Sequence, residues 1–324
     1  MLRILTSVFV LSLIMARPAL AEPGILLLAH GGSLEWNARV TALADGVNRT
    51  RPTEVAFGMA TRAEIQAAID RLTARGVTEI VAVPFFVSSW SSIITSTEFL
   101  LGLRAEAPAA LAVFAKMSHG SHGAAAPSSG PAPGGHGAGH DMAAHHGPAA
   151  GMTHEPAPRS VDGTTPVHVT VPVRMTPALN DHPIVAAILA TRARSISRQP
   201  AGEALVIVAH GPNEDDDNRR WLADMAALAT QIRATEGYAS IDQLTVRDDA
   251  PEAVRNQATA ELRARVQQRI GEGRRVLVVP LVIAFGGIEQ GLRQRLEGLD
   301  YAMPDTGLVP DDRLVDWVLD VSSR

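Results

Sequence analysis

The chain has 324 residues, 46% hydrophobic and 19% charged, a balance that suits globular folding and excludes wholesale disorder or a collagen-like repeat. It contains no cysteine, which excludes disulfides, thiolate zinc sites and iron–sulfur clusters, so any metal must be held by His, Asp, Glu or Met. With 29 basic and 34 acidic residues the formal charge is −5, and no general nucleic-acid footprint is expected.

Residues 1–21 read as a cleavable secretory signal. Arg3 opens a short charged region, residues 4–15 are apolar, and Ala19-Leu20-Ala21 places small residues at the cleavage positions. The apolar stretch stops at Arg17 and Pro18, short of the roughly 18 residues a membrane anchor needs. The expected product is periplasmic or secreted, without a stable membrane anchor. Cleavage would leave 27 basic against 34 acidic side chains, a net charge of −7.

The mature chain opens with an apolar run, residues 24–29, closed by His30-Gly31-Gly32, as expected of a strand buried on both faces of a parallel sheet. A helix is expected from about Leu34, a second strand over 54–59, and a helix that starts with a Thr61/Glu64 capping box and ends at Gly76. A third strand over 79–87, a helix over 92–104, a fourth strand over 167–173 and a helix over 183–194 complete a first α/β unit. Residues 116–165 interrupt it with a Gly, Ala, Pro, Ser and His composition that cannot bury enough surface to offset its ordering entropy, and are expected to be disordered. The second unit repeats the grammar: a strand over 204–209 before His210-Gly211, a strand over 241–246, a helix over 251–270 and a strand over 275–283.

The expected organisation is therefore a signal over 1–21, a first domain over 22–115 and 166–198, an insert over 116–165, and a second domain over 199–324. Each domain is a parallel sheet flanked by helices, and the pair reads as a duplication. Leu27-Leu28-Ala29-His30-Gly31 matches Ile207-Val208-Ala209-His210-Gly211, and Val83-Pro84 matches Val279-Pro280.

In open parallel sheets ligands bind beyond the carboxyl ends of the strands, and a glycine after the histidine lets the chain turn away so that the imidazole faces that crevice. One such histidine is as readily a structural hydrogen-bond partner. Its recurrence at the same strand end in both units makes His30 and His210 the candidate catalytic and metal-binding residues. Dinucleotide, P-loop and nucleophile-elbow motifs are absent from the sequence, and its single lysine, Lys116, lies in the insert. No organic cofactor is expected.

These residues resemble the class II chelatases, the sirohydrochlorin cobalt- and iron-chelatases. The resemblance lies in residues 25–37 (ILLLAHGGSLEWN), 204–218 (ALVIVAHGPNEDDDN), 81–88 (VAVPFFVS), 178–183 (ALNDHP), 276–281 and 307–317, and spans nearly all of the mature chain except the insert. It implies insertion of a divalent metal, cobalt or iron with nickel as a further option, into an anionic tetrapyrrole. A neutral imidazole can both ligate such a metal and accept a pyrrole proton. One departure stands out: the family's second active-site histidine, a few residues past the Val-Pro strand, falls on Ser92 in the first unit and Ile288 in the second. Glu98, His168 and Glu289 are the candidate replacements.

A carboxylate-rich substrate needs guanidinium forks, for which Arg174 and Arg247 are the leading candidates, with Arg219 and Arg220 beside them. Acidic residues 214–217 read as partners of a helix dipole. The insert holds seven of the eleven histidines, His119, His122, His136, His140, His145, His146 and His154, which together can gather divalent ions without a fixed register. Two functions follow: an exported chelatase, or a non-enzymatic periplasmic metal- or tetrapyrrole-binding protein on a decayed chelatase fold.

Overall fold

The computed structural model describes residues 22–120 and 163–324. Two parallel sheets organise it. The first has the order β2-β1-β3-β4, built from β1 (Gly24–Ala29), β2 (Thr53–Phe57), β3 (Ile80–Pro84) and β4 (Val173–Met175). The second has the order β6-β5-β7, from β5 (Glu203–Ala209), β6 (Ser240–Thr245) and β7 (Arg275–Leu281). An isolated parallel bridge between Leu277 and Ala302 adds to β7 what β4 adds to β3. The helices are α1 (Leu34–Asn48), α2 (Arg62–Ala74), α3 (Ser92–Leu100), α4 (Ala109–Gly120), α5 (Pro183–Ile196), α6 (Asp215–Thr235), α7 (Glu252–Gly271), α8 (Ile288–Arg295) and α9 (Arg313–Ser323). The expected α/β class and parallel pairing are both present.

Strands β1 and β5 are buried along their whole length, so alternate residues serve two cores. On its outer face β1 places Leu26 and Leu28 with Ile65, Ile69 and Leu72 of α2. The outer face of β5 places Val206 and Val208 with Leu262 and Val266 of α7. The inner faces meet in one cluster: Ile25, Leu27 and Ala29 of β1 share it with Leu205, Ile207 and Ala209 of β5, through α1, α5, α6 and α9.

Two helices exchange sides, which redraws the division expected from sequence. Helix α5, placed with the first unit, packs on β7 and α6 of the second, and α9, at the end of the chain, packs on α1 and β3 of the first. Periodicity identifies an amphipathic helix but carries no information on which sheet receives its apolar face.

Three local expectations also change. Thr61 is the N-cap of α2, but its side chain makes no capping hydrogen bond. It lies instead against Gly58, where an added Cβ would clash with Thr61 Oγ1. The fourth strand is only Val173–Met175, and His168, expected inside it, is exposed and outside any strand. The Gln66 side chain takes the place of a neighbouring strand there, accepting from His168 N at 2.7 Å and donating to His168 O at 2.9 Å. Finally, the first residues of the expected insert, Lys116 to Gly120, including His119, continue helix α4. The expected signal over 1–21, and residues 121–162 of the insert with His122, His136, His140, His145, His146 and His154, lie outside the described residues.

Candidate functional site

His30 and His210 follow the last residues of β1 and β5, each an inner strand of its sheet. The register is the same in both halves: Ala29 pairs with Phe57 as Ala209 pairs with Thr245. The carbonyl of Ala29 accepts from Gly58 N at 2.9 Å and that of Ala209 from Val246 N at 3.0 Å. Both strands thus end at the same height, and both chains then turn at a glycine with positive φ, +80° at Gly31 and +75° at Gly211. His30 is exposed and His210 partly so. Each ring Nδ1 lies close to the carbonyl oxygen of the next glycine, at 2.7 Å for His30 and 2.8 Å for His210.

The helices that follow are started differently. Ser33 caps α1 by accepting from Trp36 N at 3.2 Å, while Asn37 Oδ1 holds Gly32 N at 2.8 Å. After His210 the chain carries Pro212 and the acidic run, and Asp215, Asp216 and Asp217 form the first turn of α6, where the helix dipole favours them. A cavity of about 1210 Å³ opens here, lined by Glu214, Asp215, Asp217, Asp249, Arg220 and Arg247 among others. Asp249 Oδ2 stands 3.5 Å from His210 Nε2, a neighbour that sequence reasoning did not single out.

The arginines divide by what already holds them. Arg174 pairs with Val81, well short of the carboxyl end of its sheet, and gives Nε to Glu79 at 2.8 Å and Nη2 to Ser322 O at 2.6 Å. Its guanidinium thus ties the end of α9 to the first sheet. Arg247 is at the right strand end but is buried beneath the loop after His210. It donates to Pro212 O at 3.1 Å, to Asp215 Oδ1 at 2.7 Å and to Asn213 O. It braces that loop, and its backbone N–H also reaches His210 O at 2.6 Å. Arg219 pairs with Asp216. Arg220 alone of the four has no ion pair among the described residues; its guanidinium lies 4.7 Å from the centre of the Trp90 ring.

Trp90 belongs to a latch between the halves. It sits in the loop after β3, donates Nε1 to Asp224 Oδ2 of α6 at 3.0 Å, and accepts at its carbonyl from Trp221 Nε1 at 2.7 Å. Burial pushes the Asp224 carboxyl above its ordinary pKa, against the Trp90 hydrogen bond. The opposite loop, after β7, answers it: an added Cβ at Gly286 would lie 3.2 Å from Trp36 Cδ1. No local motif around Trp90 or Gly286 announced these contacts, because they cross between sheets.

Ser92 and Ile288, where the family's second histidine would fall, are the first residues of α3 and α8, so they are structurally equivalent. The three candidate replacements are occupied or remote from the strand ends. Glu98 pairs with Arg104 at 3.6 Å, Glu289 accepts from Gly286 N and Gly287 N at 3.0 Å each, and His168 lies beside α2. Among the described residues no group of three or more His, Asp or Glu is arranged to hold a metal ion.

Comparison with known proteins agrees with this fold. Residues 24–92 match the CbiX family model. The fold is similar to that of SirB from Bacillus subtilis with Fe3+, at TM-score 0.56 and 12% identity, covering 93% of this chain and 94% of that one. It is also similar to the sirohydrochlorin chelatase SirB from Bacillus subtilis subspecies spizizenii in complex with cobalt, at TM-score 0.52 and 11% identity, with the same coverage. No curated protein matches the chain. The chelatase fold is therefore present across both halves, and the family pattern itself over residues 24–92.

Proposed function

We propose that this chain is an exported chelatase that inserts a divalent metal, cobalt or iron, into sirohydrochlorin or a related carboxylated tetrapyrrole. The observation that carries the reading is the repeated placement of one imidazole, His30 and His210, at the same strand end of two chelatase-like sheets. Insertion forms bonds from the metal to the ring nitrogens while two pyrrole N–H protons leave, so it needs a ligand for the ion and an acceptor for the protons. A neutral imidazole near pH 7 is suited to both. The metal is a substrate here.

His30 is the leading catalytic residue. Gly31-Gly32-Ser33 after it offers an uncharged backbone to a flat ligand, whereas Pro212 and the acidic residues after His210 narrow and charge the corresponding approach. In an anaerobic metallation assay, His30→Ala should lower the rate at least about 10²-fold, the usual scale for a positioned base, and His210→Ala less. Equal rates for wild type and His30→Ala would move the assignment to His210. Both variants should fold, since these side chains stand at the sheet rim.

The His-rich segment is proposed to gather the metal substrate, on the strength of its composition. Deleting residues 121–162 should reduce the number of Co²⁺ ions bound per chain. Unchanged stoichiometry would rule this role out.

A further inference from the structure

We propose that the carbonyl groups of Gly31 and Gly211 are positioning groups, each fixing its histidine as the tautomer protonated on Nδ1 and leaving the Nε2 lone pair as the reactive nitrogen at both strand ends. A carbonyl oxygen only accepts. The contacts at 2.7 Å and 2.8 Å therefore need the proton on Nδ1. A neutral imidazole carries one N–H, and the hydrogen bond at one nitrogen decides what the other can do.

The geometry is local. Each bond closes between neighbouring residues, with the chain turning immediately at a glycine whose φ lies in the left-handed region. The residues that follow differ, Gly32-Ser33 in one half and Pro212-Asn213 in the other, yet the ring and carbonyl meet in the same way. The His-Gly pair itself sets the arrangement. At His210 the Asp249 carboxylate, with Oδ2 3.5 Å from Nε2 and beyond a normal N–H···O bond, competes with the Gly211 carbonyl for the proton, so His30 is the cleaner test.

The two glycines differ as experimental handles. A Cβ at Gly31 would meet nothing closer than Phe57 Cβ at 3.4 Å, so Gly31→Ala disturbs only the backbone turn. A Cβ at Gly211 would fall 2.6 Å from Thr245 Cβ and would clash. Gly31→Ala is the informative variant.

The test is a long-range ¹H–¹⁵N correlation spectrum of histidine-labelled protein, recorded at a pH where imidazoles are neutral. The signals of His30 and His210 are assigned by their loss in His30→Gln and His210→Gln. Both should show the Nδ1–H pattern, the form that an unrestrained histidine in water disfavours. In Gly31→Ala the His30 signal should relax toward the Nε2–H form while His210, in the same sample, stays unchanged and reports that the fold is intact. An Nε2–H pattern at both histidines in the wild type would overturn the proposal, and the wild-type spectrum decides even if the variant does not fold. The chemical consequence rests on the chelatase reading: Co²⁺ should broaden the His30 signal, and Gly31→Ala should weaken that binding about 10- to 100-fold. An Nδ1–H pattern with no effect of Co²⁺ would leave the positioning role standing and remove the chelatase role of His30.

Discussion

Asp242 shows how a charge survives inside the second half. Burial alone would push its carboxyl up, but hydrogen bonds from Arg269, at 2.7 Å and 2.8 Å, and from Arg265 reverse this and hold it below the usual carboxylate range. A carboxyl depressed on folding adds stability above its unfolded pKa of about 3.9, and that contribution fades as pH falls through the lower folded value. Asp242→Asn should therefore cost about 2 kcal/mol at pH 7, the scale of a hydrogen bond to a charged group, with the gap to wild type closing below about pH 4. Urea denaturation at pH 7 and pH 3 measures it; a gap of equal size at both would show that the charge is not what matters. At this scale the sequence was legible where chemistry is local. The His-Gly strand ends stood out because a histidine closing an apolar run is unusual twice over. For Arg174 and Arg247 the sequence shows guanidinium groups along the strands, but not the Glu79, Ser322, Pro212 and Asn213 acceptors that hold them.

Among elements, α9 is the one whose role the sequence concealed. It follows the second half in the chain yet buries Leu314, Trp317 and Val318 against the first. Trp317 is 1% exposed, with its ring 6.2 Å from that of Phe85 just after β3. Trp317→Ala should cost about 3–5 kcal/mol, the range for removing a large buried aromatic, and the loss should appear in the unfolding of β1 and β3. Hydrogen exchange of the β1 and β3 amides would check this. Loss of protection confined to β5 and β7 would contradict the packing. The strands were easier to place, because a run such as ILLLA can only be buried on both faces, whereas an amphipathic helix fits either sheet. The expected strand at His168 failed because Gln66 satisfies that backbone from the side, an arrangement with no periodic signal.

The whole molecule is two copies of one α/β design joined through a common inner core, with α5 and α9 crossing between them and the Trp90–Asp224 and Trp36–Gly286 contacts closing the loops on either side. The repeated sheet topology was readable in the matched strand motifs; the exchange of helices was not, because it depends on which apolar face finds which sheet. This arrangement holds two equivalent strand-end imidazoles on sheets that share one core, and the proposed metallation depends on it. The most direct test is an anaerobic assay in which purified protein, sirohydrochlorin and limiting Co²⁺ or Fe²⁺ are mixed and the tetrapyrrole spectrum is followed against a His30→Ala/His210→Ala control. The account predicts conversion to the metallated spectrum well above the rate of the control. A wild-type rate equal to that of the double variant, with either metal, would contradict it and favour a protein that binds metal or tetrapyrrole without joining them.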